Sequence, residues 1–160
     1  LAVSSPDAAV LSNIFVWLLE DYLNEYVLVN LYFDVSAYYA QSAGLDYGLR
    51  ISDNGFEVGL YKDTDVSLCI LLIIQKIARF EVKSDRFSVI KETVTKAYQN
   101  YKFQQPYEQA TYYCSLVLED KSWPWTEELD AVSHLEAEDL AKFVPVLLSR
   151  TFVECYIAEI

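Results

Sequence analysis

The chain has 160 residues, 53% of them hydrophobic and 15% aromatic, with 24 acidic against 12 basic side chains and a net charge of -12. That length fits one domain burying on the order of two thirds of its unfolded surface, and the apolar load excludes a disordered tail. The charge has the wrong sign for phosphate backbones or anionic lipid, so nucleic acid and membrane surfaces are excluded as partners, and a basic peptide or basic protein face fits better.

Ser5-Pro6-Asp7 marks a helix start: Ser5 can cap, Pro6 suits the first helical position and Asp7 the positive dipole end. Val10, Leu11, Ile14, Trp17, Leu18, Tyr22 and Tyr26 then recur every three or four residues as one apolar stripe. Val27 to Ser36 breaks that stripe with β-branched and aromatic residues of strand composition. Ala37-Tyr38-Tyr39-Ala40-Gln41 resumes a helical character, and Gly44 is the expected stop. Leu45–Ser52 and Phe56–Tyr61 are predicted strands joined across Asp53-Asn54-Gly55, a hairpin signal.

Val66–Phe80 is apolar on nearly every face, and its length favours a buried helix. Ser84-Asp85 opens the next helix, with Phe87, Ile90, Val94, Ala97, Tyr98 and Tyr101 on one side. Pro106 restarts the chain into another, with Ala110, Cys114 and Val117 expected inward. Ser133-x-x-Glu136 reads as a capping box for a last helix striped by Leu140, Phe143, Val144, Leu147 and Leu148, which Pro145 should kink. Thr151 to Ala158 alternates as a final strand. The order gives an α+β fold, residues 1–160 forming a single domain with helices packed on one face of a mostly antiparallel sheet.

Cys69, Cys114 and Cys155 are too widely spaced for a zinc ribbon, and their number is odd for a disulfide framework. Their apolar neighbours make them buried small hydrophobes in a reducing compartment, and the lack of an Asn-x-Ser/Thr sequon agrees. His134 is the only histidine. It could share a metal with Glu138, Glu136 or Asp139, but a solvent-facing position in the first turn of a capped helix is the simpler reading. As a base for Cys114 it lacks an electropositive setting around the thiol. Glu119-Asp120, Glu127-Glu128 and Glu138-Asp139 read as solvated faces rather than a glycosidase pair. Four glycines supply no phosphate loop. No catalytic residue and no metal ligand is therefore expected. The remaining candidate is an aromatic wall: Tyr98, Tyr101, Tyr107, Tyr112 and Tyr113 cluster near two helix ends, where they could bind peptide or simply pack the core.

Several wordings recur together: Phe80-Glu81-Val82-Lys83, Asp85-Arg86-Phe87, Gln99-Asn100, Gln104-Gln105-Pro106-Tyr107, Tyr112-Tyr113-Cys114 and Trp123-Pro124-Trp125. In that order and spacing they resemble the third domain of the insulin-degrading enzyme (insulysin) branch of the pitrilysin-type zinc metallopeptidases. Asp21–Tyr26 resembles that domain's entry helix, and Leu148-Ser149-Arg150 with Phe152–Ala158 its exit strand. Trp-Pro-Trp and Cys-Tyr-Ile-Ala resemble the plant members. The resemblance implies a chamber of two bowl-shaped halves that encloses a peptide, with this domain as part of the second half's wall. It places zinc and its general base on His-x-x-Glu-His in the first domain, a motif that a single histidine cannot form. The implied partners are the remaining domains of the parent protease and peptide substrates, in the cytoplasm or alternatively the peroxisome. Two departures stand out. Val27–Ser36 has the place of an insertion into a helix, and Ala158-Glu159-Ile160 stands where members carry a glycine. With Leu1 instead of Met, these suggest a piece of a longer chain or a truncated, inactive derivative, and predict an incomplete sheet and self-association. A free-standing acidic interaction module is the rival reading.

Overall fold

The computed structural model describes residues 2–30, 46–52, 55–61, 67–149, 151–156 and 158. Its elements are α1 (Pro6–Asn30), β1 (Asp46–Ser52), β2 (Gly55–Tyr61), α2 (Ser67–Ala78), α3 (Ser84–Asn100), a 3-10 turn (Tyr101–Phe103), α4 (Pro106–Leu118), α5 (Trp125–His134) and α6 (Ala137–Ser149).

The start of α1 follows its cap chemistry. Ser5 Oγ accepts the Ala8 N–H at 3.1 Å, Pro6 is the first helical residue and Asp7 lies in the first turn. Ala8 to Ser12, Ile14 to Val16, Leu18, Leu19 and Leu23 are buried, far more than one stripe. Coverage from several sides explains this: α5, α3, β1, α6 and α2 all contact α1. Trp17, by contrast, is turned outward. Buried Ser12 satisfies its hydroxyl by donating to the Ala2 carbonyl at 2.9 Å. The helix continues through Val27–Asn30, so the strand-like segment begins as helix. Residues 31–45, including the rest of that segment and Gly44, lie outside the described residues.

The two strands pair antiparallel, with Asp46 opposite Tyr61 and Ser52 opposite Gly55. The expected Asp53-Asn54 turn lies outside the described residues. Gly55 has φ 132°, a backbone region that side chains disfavour. Leu49 is buried, and Ile51 and Phe56 pack on the core. On the opposite face Arg50 Nε lies 2.5 Å from Glu57 Oε2. One sheet face thus meets helices and the other meets water, the α+β layering expected. At the centre Phe15 meets the Phe80 ring edge-on at 5.2 Å and Phe56 at 5.8 Å. The Phe80-Glu81-Val82-Lys83 wording is therefore an in-out alternation: Phe80 and Val82 pack on the core, while Glu81 and Lys83 are exposed.

Several expectations need correction. Thr151 to Tyr156 form no strand; Phe152 and Tyr156 are 85% and 92% exposed. An alternating pattern fits a strand only when a neighbouring edge supplies the ladder, and no described strand does so here. The second correction concerns α4, which buries no residue: Ala110 and Cys114 are exposed and Val117 is 85% exposed, so the face expected to point inward is the outer one. Cys114 and Cys155 are accordingly exposed thiols rather than buried hydrophobes, while the Cys69 side chain lies outside the described residues. The third is the capping box. Ser133 belongs to α5, where its hydroxyl donates to the Asp130 carbonyl at 2.6 Å. Extended backbone at Leu135 separates the two helices, and Asp139 Oδ2 accepts the Glu136 N–H at 2.9 Å to start α6. His134, finally, sits in the last turn of α5 rather than the first turn of a helix. Pro145 lies inside α6 without ending it.

Lys91 of α3 closes the α5 end by donating to the Leu135 carbonyl at 2.6 Å and the Ser133 carbonyl at 3.4 Å. A cation there also meets the negative end of the helix dipole. No helix among the described residues is long and apolar enough to cross a membrane.

Candidate functional site

The Gln104-Gln105-Pro106-Tyr107 wording builds a corner. The Gln104 N–H returns to the Tyr101 carbonyl at 3.2 Å, ending the 3-10 turn. Gln105 precedes α4, Pro106 opens it, and the Glu108 carboxylate accepts the Gln105 N–H at 2.9 Å. The Gln109 side chain clamps the same corner by donating to the Gln104 carbonyl at 3.0 Å. This geometry brings Tyr101 and Tyr112 together, their ring centroids 4.8 Å apart. Tyr112 Oη in turn accepts the Trp125 N–H at 2.6 Å and so ties α4 to the start of α5. Trp123 Nε1 donates to the Val3 carbonyl at 3.0 Å, pinning the N-terminal turn beside it. The Trp-Pro-Trp wording is therefore a structural clasp: Trp123 holds the N-terminus, Pro124 precedes α5, and Trp125 packs on the core.

Between these parts lies an open cavity of about 630 Å³, with Tyr101, Tyr107, Tyr112, Trp123, Asn13 and Glu128 among its walls. Three of the five candidate tyrosines meet there. Tyr98 lies beneath in the core, 8% exposed, its hydroxyl accepting from Asn13 Nδ2 at 3.2 Å. Tyr113 is 56% exposed outside the cavity and touches Tyr112 edge-on, the centroids 5.3 Å apart. Burial, reinforced by the Glu128 charge, raises the phenol pKa values of Tyr98 and Tyr101. Burial also raises Tyr112, against the opposing bond from the Trp125 N–H, and Glu128 adds to the rise. These rings are held neutral, with their faces intact as apolar walls.

Glu128 is the residue missed by treating Glu127-Glu128 as a solvated pair. Glu127 is exposed, but Glu128 is largely buried, and burial pushes its carboxyl up to about 7. The signal was present in the spacing: Glu128 stands three residues after Trp125 and four before buried Val132, on the inner side of α5. Among the described residues it makes no hydrogen bond or ion pair. His134 stands apart from the cavity, with Nε2 3.3 Å from Asp7 Oδ1. The described residues contain no group of three His, Cys, Asp or Glu side chains able to hold a metal ion.

A sequence profile of the middle or third domain of peptidase M16 matches residues 1–131. The chain belongs to the peptidase M16 family. It is 76% identical over 160 residues to Insulin-degrading enzyme-like 2 of Arabidopsis thaliana, covering 99% of this chain and 15% of that protein. It is 68% identical over the same length to Insulin-degrading enzyme-like 1, peroxisomal, of Arabidopsis thaliana, again 99% and 15%. Human insulin-degrading enzyme is 32% identical over 145 residues, 90% of this chain and 13% of that enzyme. The chain thus spans about one seventh of the length of its curated relatives and is a middle-domain segment of the insulin-degrading-enzyme type.

Proposed function

We propose that this segment forms part of the wall of a peptide-enclosing chamber in an insulysin-type zinc metalloendopeptidase and carries no catalytic residue itself. The observation that carries the reading is the 76% identity across 99% of the chain to a protein named for insulin degradation, aligned over only 15% of that protein. The donor set points the same way: one histidine, engaged with Asp7, cannot make a His-x-x-Glu-His site. Zinc does not fit the described residues and would be held by another domain of the parent, where it would activate water for peptide hydrolysis. The partners are those other domains and peptide substrates, with Tyr101, Tyr107 and Tyr112 as the wall facing them. The compartment is the cytoplasm, with the peroxisome as the alternative raised by the name of one relative.

A graft tests this. The chain would replace the corresponding segment of Insulin-degrading enzyme-like 2, and cleavage of a quenched fluorogenic peptide would be followed with and without chelator. The graft is expected to cleave in a chelator-sensitive way, and the isolated chain neither to cleave nor to bind zinc stoichiometrically in calorimetry. Submicromolar zinc binding or chelator-sensitive cleavage by the isolated chain would overturn the assignment, as would a folded graft without activity.

A further inference from the structure

We propose that the cavity between α4, α5 and the N-terminal turn is a subsite for the arginine side chain of a peptide, the guanidinium meeting Glu128 and the stem lying along the rings of Tyr101 and Tyr112. The peptide as source of that arginine rests on the chamber-wall reading; the cation site itself rests on the cavity.

Three features of the cavity favour a guanidinium. The first is space beside aromatic faces. About 630 Å³ is open between the Tyr101–Tyr112 pair, Tyr107 and Trp123. A planar cation stacks on such faces and gains from the ring quadrupole, more so where water is partly excluded. The second is Glu128. A largely buried carboxyl either keeps a proton or acquires a partner, because desolvation of the charge is otherwise uncompensated, and a cation in reach favours the second. Glu128 has none among the described residues, although Lys121 also lines the cavity; no ion pair joins the two. An entering guanidinium supplies two parallel N–H donors in the geometry a carboxylate accepts. The third is sign. Glu108, Glu119 and Glu128 line the cavity against Lys121 alone, on a chain of net charge -12. Glu108 is already engaged by the Gln105 N–H, which leaves Glu128 as the inner acceptor. An anionic ligand would meet repulsion here, and an apolar side chain would offer the Glu128 carboxyl no hydrogen-bond partner. Arginine satisfies rings and carboxylate together.

The test uses the full 160-residue chain. The probe is a blocked glycine-serine peptide with one central arginine, and its control carries citrulline, which has the same shape and no charge. Binding is followed by tryptophan fluorescence, since Trp123 lines the cavity, and by calorimetry. The arginine peptide is expected to bind saturably, with both the citrulline control and Glu128→Gln about tenfold weaker or worse. Tyr113→Phe, outside the cavity, should bind as the parent does. Thermal melts verify that Glu128→Gln is folded, and Tyr101→Leu gives a second route by removing a ring face. Equal binding of the arginine and citrulline peptides overturns the cation site, as does a folded Glu128→Gln with unchanged affinity.

The grafted protease separates this idea from the reading beneath it. Glu128→Gln in the graft should raise KM for arginine peptides several-fold over citrulline peptides, with kcat unchanged. An active graft that shows no such discrimination overturns the substrate assignment while the chamber wall stands. Arginine binding by the chain together with a folded, inactive graft removes the chamber wall and leaves a cation site.

Discussion

Glu128 is held by two opposed influences. Its place in the first turn of α5 exposes it to the positive end of the helix dipole, which favours the carboxylate. Burial favours the neutral acid and prevails, moving the group from the ordinary 4.5 up to about 7. The folded chain therefore keeps a proton that the unfolded chain has released across the window from about 4.5 to about 7. Stability from this group is full below that window and is lost as pH rises through it. The whole shift would correspond to roughly 3 kcal/mol, but solvent screening at a partly exposed carboxylate leaves about 1–2 kcal/mol. Glu128→Gln removes the titration. Urea melts at pH 5 and pH 8 should show the parent losing stability at the higher pH and the glutamine variant losing distinctly less, so that the variant is the more stable chain at pH 8. An unaltered pH slope in the variant would place the proton on another group. Glu20 is a milder case of the same competition: burial raises its carboxyl, and a bond from the Leu49 backbone opposes the rise.

At the scale of elements, Val27–Ser36 offers the sharpest comparison. The described buried residues of α1 end at Leu23, while its backbone stays helical to Asn30. If the segment interrupts an older continuous helix, deleting it joins Tyr26 to Ala37 and removes a local conflict between strand-like composition and helical geometry. The deletion is expected to raise the urea midpoint, by a few tenths to about 1 kcal/mol, with an unchanged m-value. A clearly lower midpoint would make the segment a native part of the fold. Elements set by local chemistry were legible from the sequence. Ser5-Pro6-Asp7 places the start of α1, and the Asn-Gly hairpin places β1 beside β2. Elements set by distant partners were not. Ala110, Cys114 and Val117 have helical spacing, yet α4 turns its Tyr112 side to the molecule because the anchors are the Tyr101 ring and the Trp125 N–H. Thr151–Ala158 has strand alternation but no partner edge among the described strands. The capping box is absent because Ser133 lies inside α5 with its hydroxyl turned back to the Asp130 carbonyl, and the Asp139 carboxylate takes the Glu136 N–H at the start of α6 instead. The site was legible in part: sequence clustering found Tyr101, Tyr107 and Tyr112, while Glu128 required periodicity to outweigh its adjacency to Glu127.

For the molecule as a whole, charge and exposed apolar area act against each other. Val117 and Leu118 on α4 are 85% and 81% exposed, and Phe103 and Tyr107 stand out from the adjoining corner. Phe152, Val153 and Tyr156 add an extended apolar segment nearby in sequence to α6. The two-stranded sheet leaves each strand with a second edge that no described strand pairs. Exposed apolar area and open edges both favour association, and the excess of 24 acidic over 12 basic residues opposes it. Repulsion between solvated charges is screened at a Debye length of about 10 Å in 0.1 M salt and about 3 Å at 1 M, whereas apolar contact is not weakened by salt. The isolated chain is therefore expected to self-associate with rising concentration, and added sodium chloride should strengthen that association rather than dissolve it. Sedimentation velocity across protein concentrations at low and high salt decides the point. Association that weakens with salt would mean that ion pairs hold the copies together. A chain that stays monodisperse and monomeric at high concentration and 1 M salt would show that these apolar residues, exposed as they are, do not form a cohesive surface, and that the incomplete-sheet reading is wrong.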